Sequence, residues 1–328
     1  MSAAEVPDFD AIPVIDMSPL FSDASHEAVA KVAARIRKAA VEIGFFYVSG
    51  HNVSRDLQQA VYLCSKYFFC QPDETKAAIA INNAHRGYVG FRQTVLHSAR
   101  KADLKESFNF AYPFKEGDPE LDKGHGLVGL NQWPRGEDVW RDVVERYYGE
   151  VFELGQRILE GFALALGTRR DFFRDLYRHP LVRARLLHYP PQTVDSQSGQ
   201  FGAAEHTDYG CITLLWQDDV GGLQVKNRAG KWVDAPYIEG TFVINIGDML
   251  ARWSNDLFVS TPHRVVNDSG RERYSIPVFY DPDYETEVEC LPNCATAESP
   301  PKYPRIVAGD YITDKYDTSY AYRQKGRG

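Results

Sequence analysis

The sequence predicts a mainly β chain, an antiparallel sandwich or barrel with helices flanking one side. Three observations carry this. After Pro180, short segments rich in β-branched and aromatic residues follow one another, separated by Gly, Asn, Asp and Pro turns. Before Pro180, apolar residues recur at helical spacing over long stretches. The 44% hydrophobic and 25% charged composition over 328 residues is that of a soluble globular chain, with core enough for one large domain or two ordinary ones.

In chain order, "IPVIDMSPLF" (12–21) reads as an opening strand that turns at Ser18-Pro19. "SHEAVAKVAARIRKAAVEIG" is a helix, with Ser25 as N-cap and Gly44 as its stop. "FFYVSG" is a strand, and a second helix runs from about Ser54 to Phe69, ended by Gln71-Pro72. Residues 82–136, rich in Gly, Pro and polar side chains, read as a long loop region framing an entrance. From Glu137 to about Gly167, Val143, Tyr147, Val151, Leu154, Ile158 and Ala165 mark one face of a long helix. The strands that follow are "RARLLHYPP", "CITLLWQD", "GLQVKN", "TFVINIG", "HRVVND" and "RYSIPVFYD".

Composition narrows the function classes. A net charge of −8 argues against a nucleic-acid face. The N-terminal "MSAAEVPDFDAIPVID" carries acids and prolines where a signal peptide needs a basic and then an apolar region, and no run of 18 apolar residues exists. The expectation is a cytoplasmic protein with no membrane partner, monomeric or weakly homo-oligomeric. Cys64, Cys70, Cys211, Cys290 and Cys294 are scattered, and their spacings match no zinc ribbon or redox pair, so they read as reduced thiols.

The chemistry concentrates in "GAAEHTDYGCITLL" (202–215). If this segment is extended, His206 and Asp208 project from one face of it. With 9 His and 45 acidic residues in the chain, that spacing alone arises by chance. Two further features change the weight. His263 in "STPHRVV" opens another strand, and "RERYSIPVFY" places Arg273 and Ser275 two apart on one strand face. Two His and one carboxylate form the facial triad of non-haem Fe(II) oxygenases, which leaves coordination positions open. The planar fork of Arg and a Ser hydroxyl suit a carboxylate. Together they describe a metal with a carboxylate cosubstrate.

"HTDYGCITLLWQDDVGGLQV", "FVINIGDMLARWSND", "STPHRVV" and "RYSIPVFYDP" resemble the Fe(II)- and 2-oxoglutarate-dependent oxygenases of the isopenicillin N synthase-like superfamily. "IPVIDMSPL", "GFFYVSGH", "HYPPQ" and "KYPRIVAGDYI" extend the likeness over nearly the whole chain, and "RLLHYP" to "RYSI" is particularly similar to fungal pyrimidine hydroxylases acting on the thymine methyl group. The resemblance implies a distorted double-stranded β-helix, a cupin-like jelly roll, packed against helices. It implies one oxygenase domain, with a mostly helical N-terminal part carrying edge strands (1–180) and a jelly-roll catalytic part (181–328). It implies Fe(II) on His206, Asp208 and His263, and 2-oxoglutarate on Arg273 and Ser275 with Tyr189 nearby. Many plant members have Asn two residues before this Tyr, where this chain has Leu187. The implied reaction consumes O2 and 2-oxoglutarate, oxidises a substrate C–H bond and releases succinate and CO2, with no separate acid or base.

For the substrate, strand alternation puts Arg185 and Leu187 on the face of Tyr189, and Phe279 on that of Arg273 and Ser275. Tyr209 reaches a planar substrate only if the strand bulges there. "HRGYVGFRQ" adds Arg86, Tyr88 and Arg92 as lid candidates, and Gln324 of the terminal "AYRQKGRG" is within reach of folding over the site. An Arg with aromatic neighbours suits a small planar or anionic substrate. Three rivals stay open at this stage. They are a synthase-like oxidase that uses no 2-oxoglutarate, a zinc hydrolase without the usual H-E-x-x-H helix, and a non-catalytic jelly-roll binding module.

Overall fold

A computed structural model describes residues 8–93, 102–191, 201–319 and 323. The elements of the N-terminal half are β1 (Val14–Asp16), α1 (His26–Glu42), β2 (Phe45–Ser49), α2 (Arg55–Phe69), α3 (Asp73–Ala77), β3 (Gly87–Val89), β4 (Glu106–Ala111), α4 (Pro119–Asp122) and α5 (Asp138–Ala165). Those of the C-terminal half are β5 (Arg183–Tyr189), β6 (Ala203–His206), β7 (Ile212–Gln217), β8 (Leu223–Lys226), β9 (Trp232–Ala235), β10 (Phe242–Ile246), α6 (Asp248–Trp253), β11 (His263–Val265), β12 (Arg273–Tyr280), β13 (Glu287–Val288), β14 (Ile306–Val307) and α7 (Ala308–Ser319).

An eight-stranded sheet runs β1-β2-β10-β7-β12-β5-β4-β3, and a four-stranded sheet runs β6-β11-β8-β9. Apart from the parallel β1–β2 pair, neighbouring strands are antiparallel. The large sheet separates two cores. On one face, Phe46, Val48, Leu186, Leu214, Ile244, Ile276 and Val278 pack with the buried stripes of α1, α2 and α5. On the other, Phe45, Tyr47, Leu187, Tyr189 and Val243 meet Ala203, Leu223, Val225 and Val265 of the small sheet. Two sheets packed face to face with helices outside one of them is the expected jelly-roll arrangement. Among the described residues no helix is long and apolar enough to cross a membrane.

The helix signals hold in detail. Ser25 accepts from the Ala28 N–H and Ser54 from the Leu57 N–H, so each caps its helix. Gly44 ends α1 at φ +77°, where a Cβ would sit 2.3 Å from the Val259 carbonyl oxygen. Residues 82–136 differ from the expected loop, because they contain β3 and β4. All six residues of β4 are buried, Ser107 and Asn109 included. β9 was also not anticipated, and it closes the small sheet against β8.

β4 turns Glu106 toward the helices. Its carboxylate accepts from Lys76 Nζ at 2.9 Å, from His188 Nδ1 at 2.7 Å and from the Tyr88 hydroxyl. Burial pushes this carboxyl up, but the bonds from His188, Tyr88 and Lys76 outweigh it and hold the group below the ordinary carboxylate range. Glu106→Gln leaves the buried Lys76 cation only the exposed Asp73 carboxylate at 3.2 Å, and a loss of about 1–3 kcal/mol is expected from the missing charged bonds. The depressed carboxyl contributes above its unfolded pKa of about 4.3 and stops contributing as pH falls through the folded value. The Tm gap between wild type and Glu106→Gln is therefore expected at pH 7 and should close on acidification below about pH 4. A gap that does not change with pH in calorimetry would show that the charge is not what stabilises.

Candidate metal centre and cavity

A cavity between the two sheets takes its lining from the inward residues of β5, β7 and β12 and from His206, Asp208 and His263. The two histidines meet across strands, since β11 pairs with β6 and places His263 directly opposite His206. Their ring centroids are 4.4 Å apart. Each Nδ1 faces a backbone carbonyl, Ala204 O at 2.7 Å from His206 and Thr261 O at 3.1 Å from His263. A carbonyl only accepts, so each Nδ1 carries the proton and each Nε2 keeps its lone pair. Those Nε2 atoms lie 3.8 and 3.9 Å from Asp208 Oδ1. The other carboxylate oxygen, Oδ2, accepts from Thr213 Oγ1 at 2.5 Å and Asn245 Nδ2 at 2.8 Å, which leaves Oδ1 toward the imidazoles.

β6 stops at His206, and Thr207–Cys211 leave the strand, so Asp208 does not share a strand face with His206 as the spacing suggested. The segment is held instead by backbone bonds from the start of α6. Asp248 N–H donates to Asp208 O (2.8 Å), Met249 N–H to Gly210 O (3.0 Å) and Gly247 N–H to Cys211 O (2.9 Å). The same departure from the strand turns Tyr209 into the cavity, where its hydroxyl meets Ser319 Oγ at 2.9 Å. Burial, then the neighbouring His263, lowers the His206 imidazole to about 4, so it is neutral at pH 7. Burial pushes Asp208 up, but the two imidazoles and the bonds from Thr213 and Asn245 hold it, on balance, below its ordinary value. Two imidazole nitrogens and one carboxylate oxygen, all within 4.8 Å of one another, fit a divalent transition metal of the iron type.

Arg273 is fully buried in the cavity wall. It donates to Ser275 Oγ (3.1 Å), Gln217 Oε1 (3.3 Å) and the Gly221 carbonyl, and its guanidinium lies 4.7 Å from the Tyr189 ring centroid. All these oxygens are neutral, and among the described residues no carboxylate lies within ion-pair distance of Arg273. A buried cation so placed calls for an anion in the cavity.

Arg185 and Phe279 also line the cavity, with the Arg185 guanidinium 4.7 Å from the Phe279 centroid and its Nη2 donating to Tyr316 Oη at 2.8 Å. The lid candidates are elsewhere. Tyr88 bonds to Glu106 on the helix side, Arg86 donates to the Ala84 and Leu127 carbonyls, and Arg92 is exposed above Phe91. None of the three lines the cavity. Gln324 lies outside the described residues. Among the wall residues that the sequence does not single out are Tyr316 of α7 and Arg183. For Arg183 a signal existed, because it shares the strand face of Arg185. For Tyr316, 53 residues beyond the last ligand, none did.

Residues 12–136 match the family described as "non-haem dioxygenase in morphine synthesis N-terminal", and residues 179–282 match the 2OG-Fe(II) oxygenase superfamily. A 2-oxoglutarate-Fe(II) type oxidoreductase of Emericella nidulans is 38% identical over 317 residues, covering 94% of this chain and 90% of the relative. A homoarginine-6-hydroxylase of Glycine max is 36% identical over 330 residues, covering 95% and 98%. Full-length thymine 7-hydroxylase of Neurospora crassa, solved with α-ketoglutarate and thymine, superposes with a TM-score of 0.82 at 32% identity, covering 93% and 96% of the two chains.

The Asp208–Cys211 segment leans on a close approach at Gly247, where a Cβ would sit 2.2 Å from the Gly210 carbonyl oxygen. Gly247→Ala therefore has to displace the metal segment or unfold α6. A loss of about 1–3 kcal/mol in denaturant unfolding is expected, together with weaker Fe(II) binding in anaerobic titration. An alanine variant with wild-type stability and iron affinity would mean that this contact does not set the segment's position.

Proposed function

Because the chain belongs to the 2-oxoglutarate–Fe(II) oxygenase superfamily, we propose that the cavity is its active site. His206, Asp208 and His263 hold the iron there, Arg273 with Ser275 and Tyr189 holds 2-oxoglutarate, and the substrate is a small planar or anionic molecule. The protein is a non-haem dioxygenase that uses Fe(II), 2-oxoglutarate and O2. When bound, the iron and cosubstrate supply the oxidation of a substrate C–H bond, with release of succinate and CO2. The observation that carries the residue assignment is the convergence of two imidazoles and one carboxylate beside a fully buried arginine that has no carboxylate of its own.

Each residue's part follows from its bonds. The Ala204 and Thr261 carbonyls fix the two imidazoles with Nε2 inward, and Thr213 and Asn245 keep Asp208 ionised and oriented. Ser275 Oγ already accepts from Arg273, so its own proton is available to the distal carboxylate of 2-oxoglutarate. Tyr189, directly opposite Arg273 on β5, backs the guanidinium with its ring face. Phe45 sets its edge against His263 at 5.2 Å and keeps water from that side.

One catalytic unit built from both halves suits the shared sheet, in which β1–β4 and the C-terminal strands pair. A cytoplasmic setting suits the five free cysteines, and the reading includes a monomer or weak homo-oligomer.

The test is succinate formation by anaerobically purified protein given Fe(II), 2-oxoglutarate and O2, with and without small planar compounds. His206→Ala should lose Fe(II) binding and succinate together. Arg273→Gln should retain Fe(II) binding while raising the KM for 2-oxoglutarate about 10- to 100-fold, the worth of a charge-assisted bond. Succinate unchanged in His206→Ala, or a 2-oxoglutarate KM unmoved in Arg273→Gln, would refute the corresponding assignment.

A further inference from the structure

We infer that the substrate is a flat conjugated acid and that Arg183, held by Asp281, binds its anionic group; this rests on the cavity being the active site. Arg183 is 4% exposed and lines the same cavity as the metal-binding residues. Its Nη2 is bonded to Asp281, itself fully buried. Its Nε and Nη1 are buried and have no hydrogen-bond partner among the described residues. Buried donors are almost always satisfied, and an unsatisfied pair on a charged group is costly. Asp281 has no capacity to turn toward them, because its other oxygen, Oδ1, accepts from the Cys211 N–H at 2.7 Å. The Tyr316 ring stands 5.0 Å from the guanidinium and offers it a π face only, so the direction left for a hydrogen-bond acceptor is the cavity.

Strand register places this donor relative to the metal residues. Asn245 pairs with Thr213, Thr213 with Phe279 and Phe279 with Arg183, so the four form one row across the sheet. Asn245 and Thr213 are the residues that hold Asp208. Thr213 and Arg183 are two strands apart, about 10 Å at the backbone, a span suited to one flat ring with an acid group. Arg273 sits six residues from Phe279 along β12, about 20 Å away. The cosubstrate carboxylate and an anion at Arg183 therefore occupy opposite ends of the cavity.

The surroundings select the ligand class. Phe279, Tyr209 and Tyr316 line the cavity and offer flat faces. An anion is favoured over a neutral acceptor because Arg185, Arg86 and Arg323 gather with Arg183 near the buried His85, whose pKa is held well below the ordinary value by burial first and by these cations second. Arg183 supplies the open donors, and Arg185 shapes the pocket beside it. Asp281 is a positioning residue, since it holds the guanidinium from behind.

The experiment is anaerobic titration calorimetry on the full chain loaded with Fe(II) and 2-oxoglutarate, using benzoate and indole-3-acetate against their primary amides. At least one acid should bind at least 10-fold tighter than its amide. Arg183→Gln should lose about 10- to 100-fold for the acid with little change for the amide, the range of a charge-assisted bond. Because that substitution strands Asp281 in the core, Arg183→Gln with Asp281→Asn is measured as well, and it too should bind acid and amide alike. Acids binding no better than amides in wild type, or the double variant keeping the acid preference, would overturn the proposal without reference to folding of the single variant. A separate titration with 2-oxoglutarate distinguishes the premise. No 2-oxoglutarate binding by the wild type would sink the active-site assignment, whereas normal binding with no preference for acids would sink only the Arg183 inference.

Discussion

The site depends on one constraint, the strict alternation of side chains across the eight-stranded sheet. On β5, β7 and β12 every second residue enters the cavity, and the residues between them are sealed by the helices. Leu186, Ile276 and Leu214 are buried against α1, α2 and α5, while Arg183, Ser275 and Thr213 are buried facing the cavity. A slip of one residue in any of these strands would bury the arginines among the helices and turn the leucines into the active site. The apolar face therefore fixes the register, and the register positions the polar one. The helical layer contributes no ligand and no clamp, yet the accuracy of both depends on its packing.

The second consequence is electrostatic. A cavity wall that holds Arg183, Arg185 and Arg273 in low-dielectric surroundings is tolerable only where each charge is answered. Arg183 is partly answered by Asp281. Arg273 is cradled by neutral oxygens and a ring face, which orient it without neutralising it. Both arginines are thus oriented with donors to spare, Arg183 beside one carboxylate and Arg273 beside none. Asp208 follows the same logic with the opposite sign, since two hydrogen-bond donors hold one of its oxygens and leave the other for a cation.

Much of this was legible in the chain. Ser25 and Ser54 announce their helices because capping is local chemistry. The pairs Arg273–Ser275 and Arg185–Tyr189 could be placed on common faces because alternation is local too. What depends on register between strands was not legible. That His263 stands opposite His206 follows from the β6–β11 pairing, and the short β6 moves Asp208 off the strand on which spacing alone would put it. β4 was hidden because Ser107 and Asn109 look like loop residues, although in the sheet Asn109 Nδ2 donates to the Gly87 carbonyl and to Ser107 Oγ. Tyr88 and Arg92 share one loop motif, yet one is drawn inward by Glu106 and the other is left in solvent, a division made by a partner 18 residues downstream.

The Asp281 carboxylate joins what would otherwise be two independent placements. One oxygen holds Arg183 and the other holds the Cys211 N–H, three residues past Asp208. At Gly210 a Cβ would sit 1.8 Å from the Asp281 Oδ1, so the metal segment and this carboxylate are packed as tightly as backbone permits. Any shift of Arg183 is thus carried through a buried carboxylate to the turn that bears Asp208. The reverse also holds, because moving that turn removes the donor that keeps Asp281 in place. Two positions that must agree within fractions of an ångström, where a substrate is held and where it is oxidised, are set here by the two oxygens of one side chain, which needs neither a long helix nor a separate domain to align them.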